Sequence, residues 1–386
     1  MTVIIILFLL IIFFLGYDYW EDFFTWLGRI KIGRLSEREW KIKTRKVMLR
    51  WIRRGAPEVY INDDKRKNII AKINDYGRIT SVTYWQDAAL LKALNSLEGD
   101  YSFEMKNLVS KYISEDSGDW KTPPKRVDSA MFCYELLSGK YADKEKIKPA
   151  MDYVARTLKT AAETYDTIPY NADIPEYRFV DTIGMVCPFL IKYALIYNAE
   201  ELIPIAIKQI REYREYGMEK RFNIPFHSFK TQTFEPLGVC GWARGCAWLA
   251  VGLTDSLKTL IESGDYGREK GELLKFLIEL LNSIAPYIQD DGTVNRMLFS
   301  PSAQDSSACA MLAYCYAYIS DLTGNESFKA LALKMREKLR SVTRRNGVVD
   351  FSQGDTHGIG FYSSRLCIVP AAQGFAITVN ELLNHR

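Results

Sequence analysis

Hydrophobic positions recur along most of this chain at steps of three and four residues, the spacing of a helix with one buried face. From Tyr84 onward this pattern predicts eleven helices with short connections. They cover residues 84–97, 102–115, 126–138, 143–162, 180–196, 199–216, 242–262, 269–288, 306–321, 326–341 and 370–384. Residues 41–54 also have a helical pattern, and a further helix is predicted around 65–76. No long stretch alternates apolar and polar positions, so the sequence predicts an all-α protein.

The predicted helices are long, paired and without a heptad register, which argues against a coiled coil and favours a ring of helical hairpins, the (α/α)6 barrel. The pattern alone leaves other all-helical folds open. Three connections are long, namely residues 164–177, 217–241 and 347–369. Long loops with aromatic and polar side chains are usually functional. We therefore expect these three loops to meet at one mouth of the ring and form a cleft.

The N-terminus begins with an almost wholly apolar run at residues 2–15, followed by a segment rich in Lys and Arg at 29–54. The run is shorter than the roughly 20 residues of a usual membrane span. A cleaved signal peptide is the alternative, but no basic residue precedes the run and no A-x-A site follows it. We expect an uncleaved, single-pass N-terminal membrane anchor. Because the basic residues follow the run, the body of the protein is expected on the cytoplasmic side.

Charge and cysteine content add two constraints. The formal net charge of +4 is too small to indicate a nucleic-acid partner. The seven cysteines are odd in number, and several lie in apolar helical patterns. They are interpreted as reduced core residues rather than a disulfide framework.

Known cofactor and metal motifs are missing from the sequence. The three histidines lie far apart, without an HExxH or CxxC motif, so neither a metal nor a cofactor is expected. The only GxGxxG-like fragment, GDTHGIGF, follows no βαβ pattern, and P-loop and GxSxG motifs are absent. Carboxylates, aromatic residues, one histidine and one arginine remain. This set is typical of an enzyme that acts on sugars or of a sugar-binding surface.

Polar residues stand directly before several apolar helices. Asp128 opens the helix of PKRVDSAMFCYELL, and Asp181 opens that of RFVDTIGMVCPFL. His227 lies in FHSF, ahead of GVCGWARGCAWLAVGLTDSL, and Gln304 precedes the apolar helix of QDSSACAMLAYCYAY. In a toroid every second helix presents its N-terminal end at one face, so these residues are expected to converge. For Asp181 the alternative is a helix N-cap, which contributes about 1 kcal/mol.

These segments, in this order, resemble those of the unsaturated glucuronyl and unsaturated rhamnogalacturonyl hydrolases, glycoside hydrolase families 88 and 105. The resemblance covers about residues 80 to 385. It implies that Asp181 is the catalytic aspartate, Asp128 the second aspartate and His227 a residue of the substrate pocket. GWARGCAW resembles the family's W-G-R-G-N-G-W box. That match implies substrate-binding roles for three further residues: Trp242, Arg244 and Trp248.

The sequence also departs from the family pattern. The asparagine of the box is Cys246 here, and the glycine after it is Ala247. Thr293 and Val294 replace the aromatic residue that usually follows an Asp-Gly turn. These changes leave the two aspartates intact and put the details of substrate binding in doubt.

The resemblance implies a hydrolase that removes a terminal unsaturated uronic acid from an oligosaccharide by hydrating its C4=C5 double bond. Asp181 would be the general acid and then the base, while Asp128 would hold its proton and the sugar hydroxyls. A helix N-terminus lowers a carboxylate pKa, so apolar neighbours and a second carboxylate must raise it for acid catalysis. His227 or Arg244 is expected to face the substrate carboxylate, and the two tryptophans either stack on sugars or pack in the core.

The expected domains are a transmembrane anchor at residues 1–20, a basic juxtamembrane segment at 21–57 and an (α/α)6 hydrolase-like domain at 58–386. The expected partners are the oligosaccharide and, through the N-terminal helix, the membrane. One alternative is a non-catalytic saccharide-binding or scaffold toroid in surface-polysaccharide assembly, which suits a cytoplasm-facing anchor and the altered Cys246. Another is an (α/α)6 glycosidase that displaces the glycosidic bond directly with two carboxylates.

Overall fold

The computed structural model describes residues 2–57, 59, 84–356 and 358–384. This part of the chain contains thirteen α-helices. They are α1 (Thr2–Arg29), α2 (Glu37–Arg54), α3 (Tyr84–Ser96), α4 (Ser102–Tyr112), α5 (Ser129–Ser138), α6 (Lys144–Tyr165), α7 (Asp181–Tyr197), α8 (Leu202–Tyr216), α9 (Ala243–Ser263), α10 (Gly267–Ile284), α11 (Ser306–Thr323), α12 (Glu326–Ser341) and α13 (Pro370–Asn384). The eleven predicted helices from residue 84 onward are confirmed, with ends within four residues of the prediction. The helix predicted around 65–76 lies outside the described residues.

Six helices form a closed inner ring. α3, α5, α7, α9, α11 and α13 contact one another in that order, and α13 returns to α3. Helices α4, α6, α8, α10 and α12 each follow an inner helix and pack against it. The inner helices α7, α9 and α11 are buried along almost their whole length, whereas α6, α8 and α10 bury one face. The predicted (α/α)6 architecture is therefore confirmed.

Two glycines allow α7 and α9 to touch backbone to backbone. A Cβ atom at Gly184 would lie 2.6 Å from the carbonyl oxygen of Trp248, and one at Gly252 would lie 2.6 Å from that of Ile183. Such a distance excludes any side chain at either position. The close approach holds the two helices together along their length, and it fixes how their first turns lie at the mouth of the ring.

Short antiparallel strands in the long loops complete the mouth. β1 (Tyr177–Phe179), β4 (Ser228–Lys230) and β5 (Pro236–Leu237) form one sheet, β2 (Met218–Glu219) pairs with β3 (Ile224–Pro225), and β6 (Ser352–Gln353) pairs with β7 (Leu366–Cys367). The pairing of β1 with β4 places Phe179 opposite Ser228 and so joins the first long loop to the second.

The segment before the ring is docked onto it. α2 packs against α13, α3 and α4, and its Trp40 donates a hydrogen bond of 2.9 Å from Nε1 to Oγ1 of Thr343. At the end of α1, Arg29 donates two hydrogen bonds of 2.8 Å to the buried carboxylate of Asp350. The expected domain boundary at residue 57 stays a prediction.

The predicted membrane anchor is not supported. Among the helices of the described residues, none has the length and the apolar character that crossing a bilayer requires. The physical reason was visible in the sequence, because the apolar run at residues 2–15 is several residues short of the roughly 20 that a span needs.

All seven cysteines lie within the described residues, and all are free. Five of them are buried, which agrees with the prediction of reduced core cysteines.

Candidate active site

A cleft of about 390 Å³ opens where the N-terminal ends of the inner helices meet. Each of the three long loops contributes to its wall, as predicted: Tyr170 comes from the first loop, His227 from the second and Asp355 from the third. The starts of α7 and α9 supply the rest of the predicted lining, namely Asp181, Trp242, Arg244 and Trp248. Five of the six predicted site residues therefore line one cleft, and only Asp128 does not.

Asp181 is the first residue of α7 and lines the cleft. Val180 holds the N-cap position, and no side chain caps this helix, so the N-cap interpretation of Asp181 is wrong. The Asp181 side chain is 12% exposed, and its Oδ2 makes no hydrogen bond among the described residues. Oδ2 is therefore a buried atom beside His227 that no hydrogen bond ties to the helix.

His227 is brought to Asp181 by the pairing of β1 with β4. The backbone N–H of Val180 donates to the carbonyl oxygen of His227 at 3.0 Å, which fixes the two segments side by side. Nδ1 of the ring lies 3.0 Å from the hydroxyl of Tyr362, and Nε2 lies 3.6 Å from Oδ2 of Asp181. The Tyr362 hydroxyl also accepts from the backbone N–H of Val239. Tyr362 thus orients the imidazole so that Nε2 faces Asp181.

Asp128 occupies the N-cap position of α5 but makes no capping hydrogen bond. It is fully buried, and neither carboxylate oxygen has a hydrogen-bond partner among the described residues. Burial raises the pKa of Asp128 to about 7, although Arg126 and the nearby backbone N–H of Trp85 lower it. Asp128 has no exposed surface and does not line the cleft, so the contact with sugar hydroxyls that the resemblance implies stays a prediction.

Asp355 is a further carboxylate of the cleft wall, as is Asp173, and sequence reasoning missed both. Asp355 is half-buried and accepts a hydrogen bond of 2.9 Å from the backbone N–H of Thr356. Burial raises the pKa of Asp355, Arg244 lowers it and Asp181 raises it further. The available signal was the long third loop, where GDTHGIGF was considered only as a nucleotide motif. His357 of that fragment lies outside the described residues.

Tyr170 lies within the electrostatic field of three of these carboxylates. Burial raises the pKa of its phenol well above the usual value, and Asp128, Asp181 and Asp355 each raise it further. The three acids therefore surround one shared neighbour, although they come from three separate segments of the chain.

Arg244 and Trp242 fasten the third loop to the start of α9. The Arg244 guanidinium donates to the carbonyl oxygens of Gln353 and Gly354 and, at 3.5 Å, to the hydroxyl of Ser307. Trp242 donates from Nε1 to Oε1 of Gln353 at 2.9 Å. Both side chains are almost fully buried, and both also line the cleft. Each residue therefore packs against the protein and forms part of the cleft wall.

The remaining tryptophan of this segment packs against a second ring. Trp248 meets Trp85 edge to face, with ring centroids 5.5 Å apart, and both rings line the cleft. Cys246, which replaces the family asparagine, is fully buried and is not part of the cleft wall. Within the described residues, no group of three or more His, Cys, Asp or Glu side chains is placed to hold a metal ion.

A closed double ring of helices with carboxylates and tryptophans in a cleft at one end defines the (α/α)6 class of carbohydrate-active proteins. The model of Glycosyl Hydrolase Family 88 matches residues 80–375. The chain belongs to this family and is a glycoside hydrolase. No curated protein sequence matches the chain.

Solved structures share the fold at low sequence identity. A possible member of the GH105 family from Klebsiella pneumoniae subsp. pneumoniae MGH 78578 has a TM-score of 0.70 and 17% identity, over 91% of this chain and 94% of the other. An unsaturated glucuronyl hydrolase specific for heparin has a TM-score of 0.64 and 15% identity, over 90% and 97%. The unsaturated glucuronyl hydrolase from Bacillus sp. GL1, responsible for the degradation of glycosaminoglycan, has a TM-score of 0.62 and 14% identity, over 89% and 95%.

Proposed function

We propose that this glycoside hydrolase removes a terminal unsaturated uronic acid from an oligosaccharide by hydrating the C4=C5 double bond, with Asp181 as general acid and base. The observation that carries the proposal is the position of the Asp181 carboxylate and its surroundings. This carboxylate faces the cleft, does not cap its own helix and lies 3.6 Å from His227. The names of the two unsaturated glucuronyl hydrolases with this fold support the choice of substrate class.

The reaction uses one carboxyl group twice. Protonated Asp181 gives its proton to C4 of the unsaturated sugar, and the resulting cation at C5 takes up a water molecule. The water loses a proton to the Asp181 carboxylate, which restores the acid. The product is a hemiketal at C5, which opens and releases the neighbouring sugar. The net change is the addition of one water molecule, and no further reactant is needed.

His227 supports this proton transfer through its position. With Nδ1 held by the Tyr362 hydroxyl, Nε2 is directed at Oδ2 of Asp181. At 3.6 Å the imidazole is not hydrogen-bonded to the carboxylate, so its contribution is to hold a polar group beside Asp181. Trp242 and Trp248 line the cleft but are each 2% exposed, so a sugar would contact only the small part of each ring that reaches the cleft wall.

In this proposal Asp128 acts through its protonation state and not through contact with the substrate. A pKa of about 7 keeps a large fraction of this buried acid protonated near neutral pH. A neutral Asp128 adds no second negative charge beside an anionic substrate, so it makes binding of a uronate less costly. This role differs from the contact with sugar hydroxyls that the resemblance implies.

The test is to incubate the full chain with unsaturated disaccharides made by a polysaccharide lyase. We expect loss of the ultraviolet absorbance of the conjugated double bond. Asp181→Asn should lower the rate by about 10²- to 10⁴-fold, the usual contribution of a general acid or base. Asp143→Asn is the matched control, because Asp143 also stands at a helix start but caps α6 outside the cleft.

The same assay separates the competing functions. Hydrolysis of saturated glycosides without any loss of the double bond would contradict the proposal and favour direct displacement. Saccharide binding without turnover on any unsaturated substrate would favour the non-catalytic toroid.

A further inference from the structure

A terminal uronic acid brings a negative charge to the reacting carbons, because its carboxylate is bonded to C5. This anion must leave water to enter the cleft, and that transfer is costly unless a cation or several donors receive it. Three carboxyl groups already line the cleft, those of Asp173, Asp181 and Asp355. The buried Asp128 does not line it, but Asp355 raises the pKa of Asp128. The cation that binds the substrate carboxylate therefore also has to offset the negative charge of these carboxyl groups.

The two cations expected from the sequence are already committed to the protein. Both terminal nitrogens of Arg244 donate to carbonyl oxygens of the third loop, and one of them also reaches Ser307. The His227 ring is held between the Tyr362 hydroxyl and Asp181. Arg244 is 1% exposed and His227 2%, so each presents little of its side chain to the ligand space.

Two further cations line the same cleft. Lys125 and Arg126 stand just before α5, and both side chains are exposed. Within the described part of the chain, neither side chain has a hydrogen-bond or ion-pair partner. Arg126 lines the same cleft as Asp181 and Asp355, and its charge lowers the pKa of Asp355 and that of Asp128. Its guanidinium thus offers unused donors close to the catalytic carboxylates.

We infer that Arg126, assisted by Lys125, binds the carboxylate of the terminal uronic acid and so determines the specificity of this cleft for acidic sugars. The inference rests on the proposed function and adds the residue that recognises the substrate's charge. Arg126 presents the planar fork that matches a carboxylate with two parallel hydrogen bonds, and Lys125 adds a second positive charge beside it. Arg244 then has a different role, which is to hold the third loop and the Asp355 that it carries.

The test compares two substrates of the full-length enzyme. One is an unsaturated uronyl disaccharide with a neutral second sugar, and the other is the same disaccharide with its terminal carboxyl group methyl-esterified. Arg126→Gln should raise KM for the acid roughly 10- to 100-fold, with little change in kcat and none in the KM of the ester. Arg126→Lys should keep part of the preference, since a lysine supplies the charge without the fork. Arg268→Gln, an exposed position on the outer helix α10, is the matched control and should change neither value.

Three results would overturn the inference. They are an unchanged KM for the acid in Arg126→Gln, an equal rise for acid and ester, and, with a disaccharide sulfated on the second sugar as a third substrate, a rise seen only for that compound. The last result would assign Arg126 to the neighbouring sugar. Circular dichroism checks that each variant is folded.

A binding experiment separates this inference from the proposed reaction. Calorimetry compares glucuronate and its methyl ester on the wild-type protein and on Arg126→Gln, without any need for turnover. Loss of the preference for the acid in the variant supports Arg126 as the carboxylate receptor even if no double bond is hydrated. If the wild-type protein has no preference for the acid, or if the variant keeps the preference, the inference is wrong, whatever the enzyme's reaction.

Discussion

The inner helices carry two clusters of buried acids. The two clusters differ in how the negative charge of the acids is compensated. At the mouth, Asp128 at the start of α5 has no hydrogen-bond partner among the described residues. Glu135, seven residues further along α5, lies 2.8 Å from Nζ of Lys92. The same lysine lies 3.0 Å from Asp255 of α9, which also accepts a hydrogen bond from Tyr314.

The difference separates acids that are paired with a buried lysine from acids without such a partner. In the deeper cluster, burial lowers the pKa of Lys92, but Asp255 and Glu135 outweigh it, so the pKa of the lysine is raised. One cation thus compensates two acids and connects α3, α5 and α9. At the mouth no described cation lies at ion-pair distance from Asp128, and Arg126 acts on it only by lowering its pKa. Oδ2 of Asp181 lies 3.6 Å from His227 and makes no hydrogen bond among the described residues. Native proteins leave few buried polar groups unpaired, and such groups concentrate where a ligand or a proton completes them.

Removal of the shared cation should give the largest effect on stability. Lys92→Met leaves Glu135 and Asp255 buried without their counter-ion, and breaking a buried pair in this way costs about 3 to 5 kcal/mol. The free energy of unfolding from urea titration measures the effect. Lys148→Met is the control, because the pair of Lys148 with Asp152 lies at the surface and should contribute less than about 1 kcal/mol. Equal effects in the two variants would show that the deeper cluster is not a structural support.

Asp128→Asn should stabilise the protein, and the gain should depend on pH. Because the pKa of Asp128 is raised in the folded state, the folded protein binds more protons than the unfolded one between about pH 4 and 7. The wild-type protein therefore loses stability as the pH rises through this window, by an amount on the order of 4 kcal/mol, whereas the asparagine variant does not. Urea titrations at pH 5 and pH 8 measure the difference in the free energy of unfolding between the wild-type protein and the variant.

The control for this prediction is the same substitution in the compensated cluster. Asp255→Asn removes a partner of Lys92 and should destabilise the protein at both pH values. A stabilising effect of Asp255→Asn, or a gain for Asp128→Asn that does not grow with pH, would contradict the comparison.

Tyr362→Phe should have a moderate effect on catalysis. The change removes the hydroxyl that holds Nδ1 of His227, so the imidazole is no longer fixed towards Asp181. We expect kcat/KM to fall roughly tenfold, the equivalent of one hydrogen bond of about 1.4 kcal/mol. Tyr197→Phe is the control, because its hydroxyl donates to a backbone carbonyl of Lys144 outside the cleft. If both variants keep full activity, the orientation of His227 does not depend on Tyr362.

Asp143→Ala should have the smallest effect and completes the comparison of aspartates at helix starts. Asp143 accepts a hydrogen bond of 3.1 Å from the backbone N–H of Lys146 and caps α6. Its removal should cost about 1 kcal/mol of stability. Thermal unfolding and the hydration assay together should show a small decrease in stability with unchanged activity. A loss of activity would mean that helix capping at the outer layer affects the cleft.

The helices and the family could be predicted from the sequence because both depend on local patterns. Apolar spacing alone placed eleven helices to within four residues, since burial of one face imposes the period of the helix. The end of α10 shows the limit of this approach. The pattern ran on to residue 288, but the chain turns into a short 3₁₀ segment at Ala285–Tyr287, which contains Pro286.

What each site residue does was decided by tertiary contacts between distant segments. The sequence placed Asp128 and Asp181 in equivalent positions, each before an apolar helix, yet the fold buries one and leaves the other at the cleft. Arg126 stands just before α5, although the predicted helix began with it, and Asp355 stands in the third long loop. Helical periodicity therefore indicated no role for either side chain. Their importance arises only when the ring closes, because charges from separate loops then share a small, poorly hydrated volume in which each acts strongly on its neighbours.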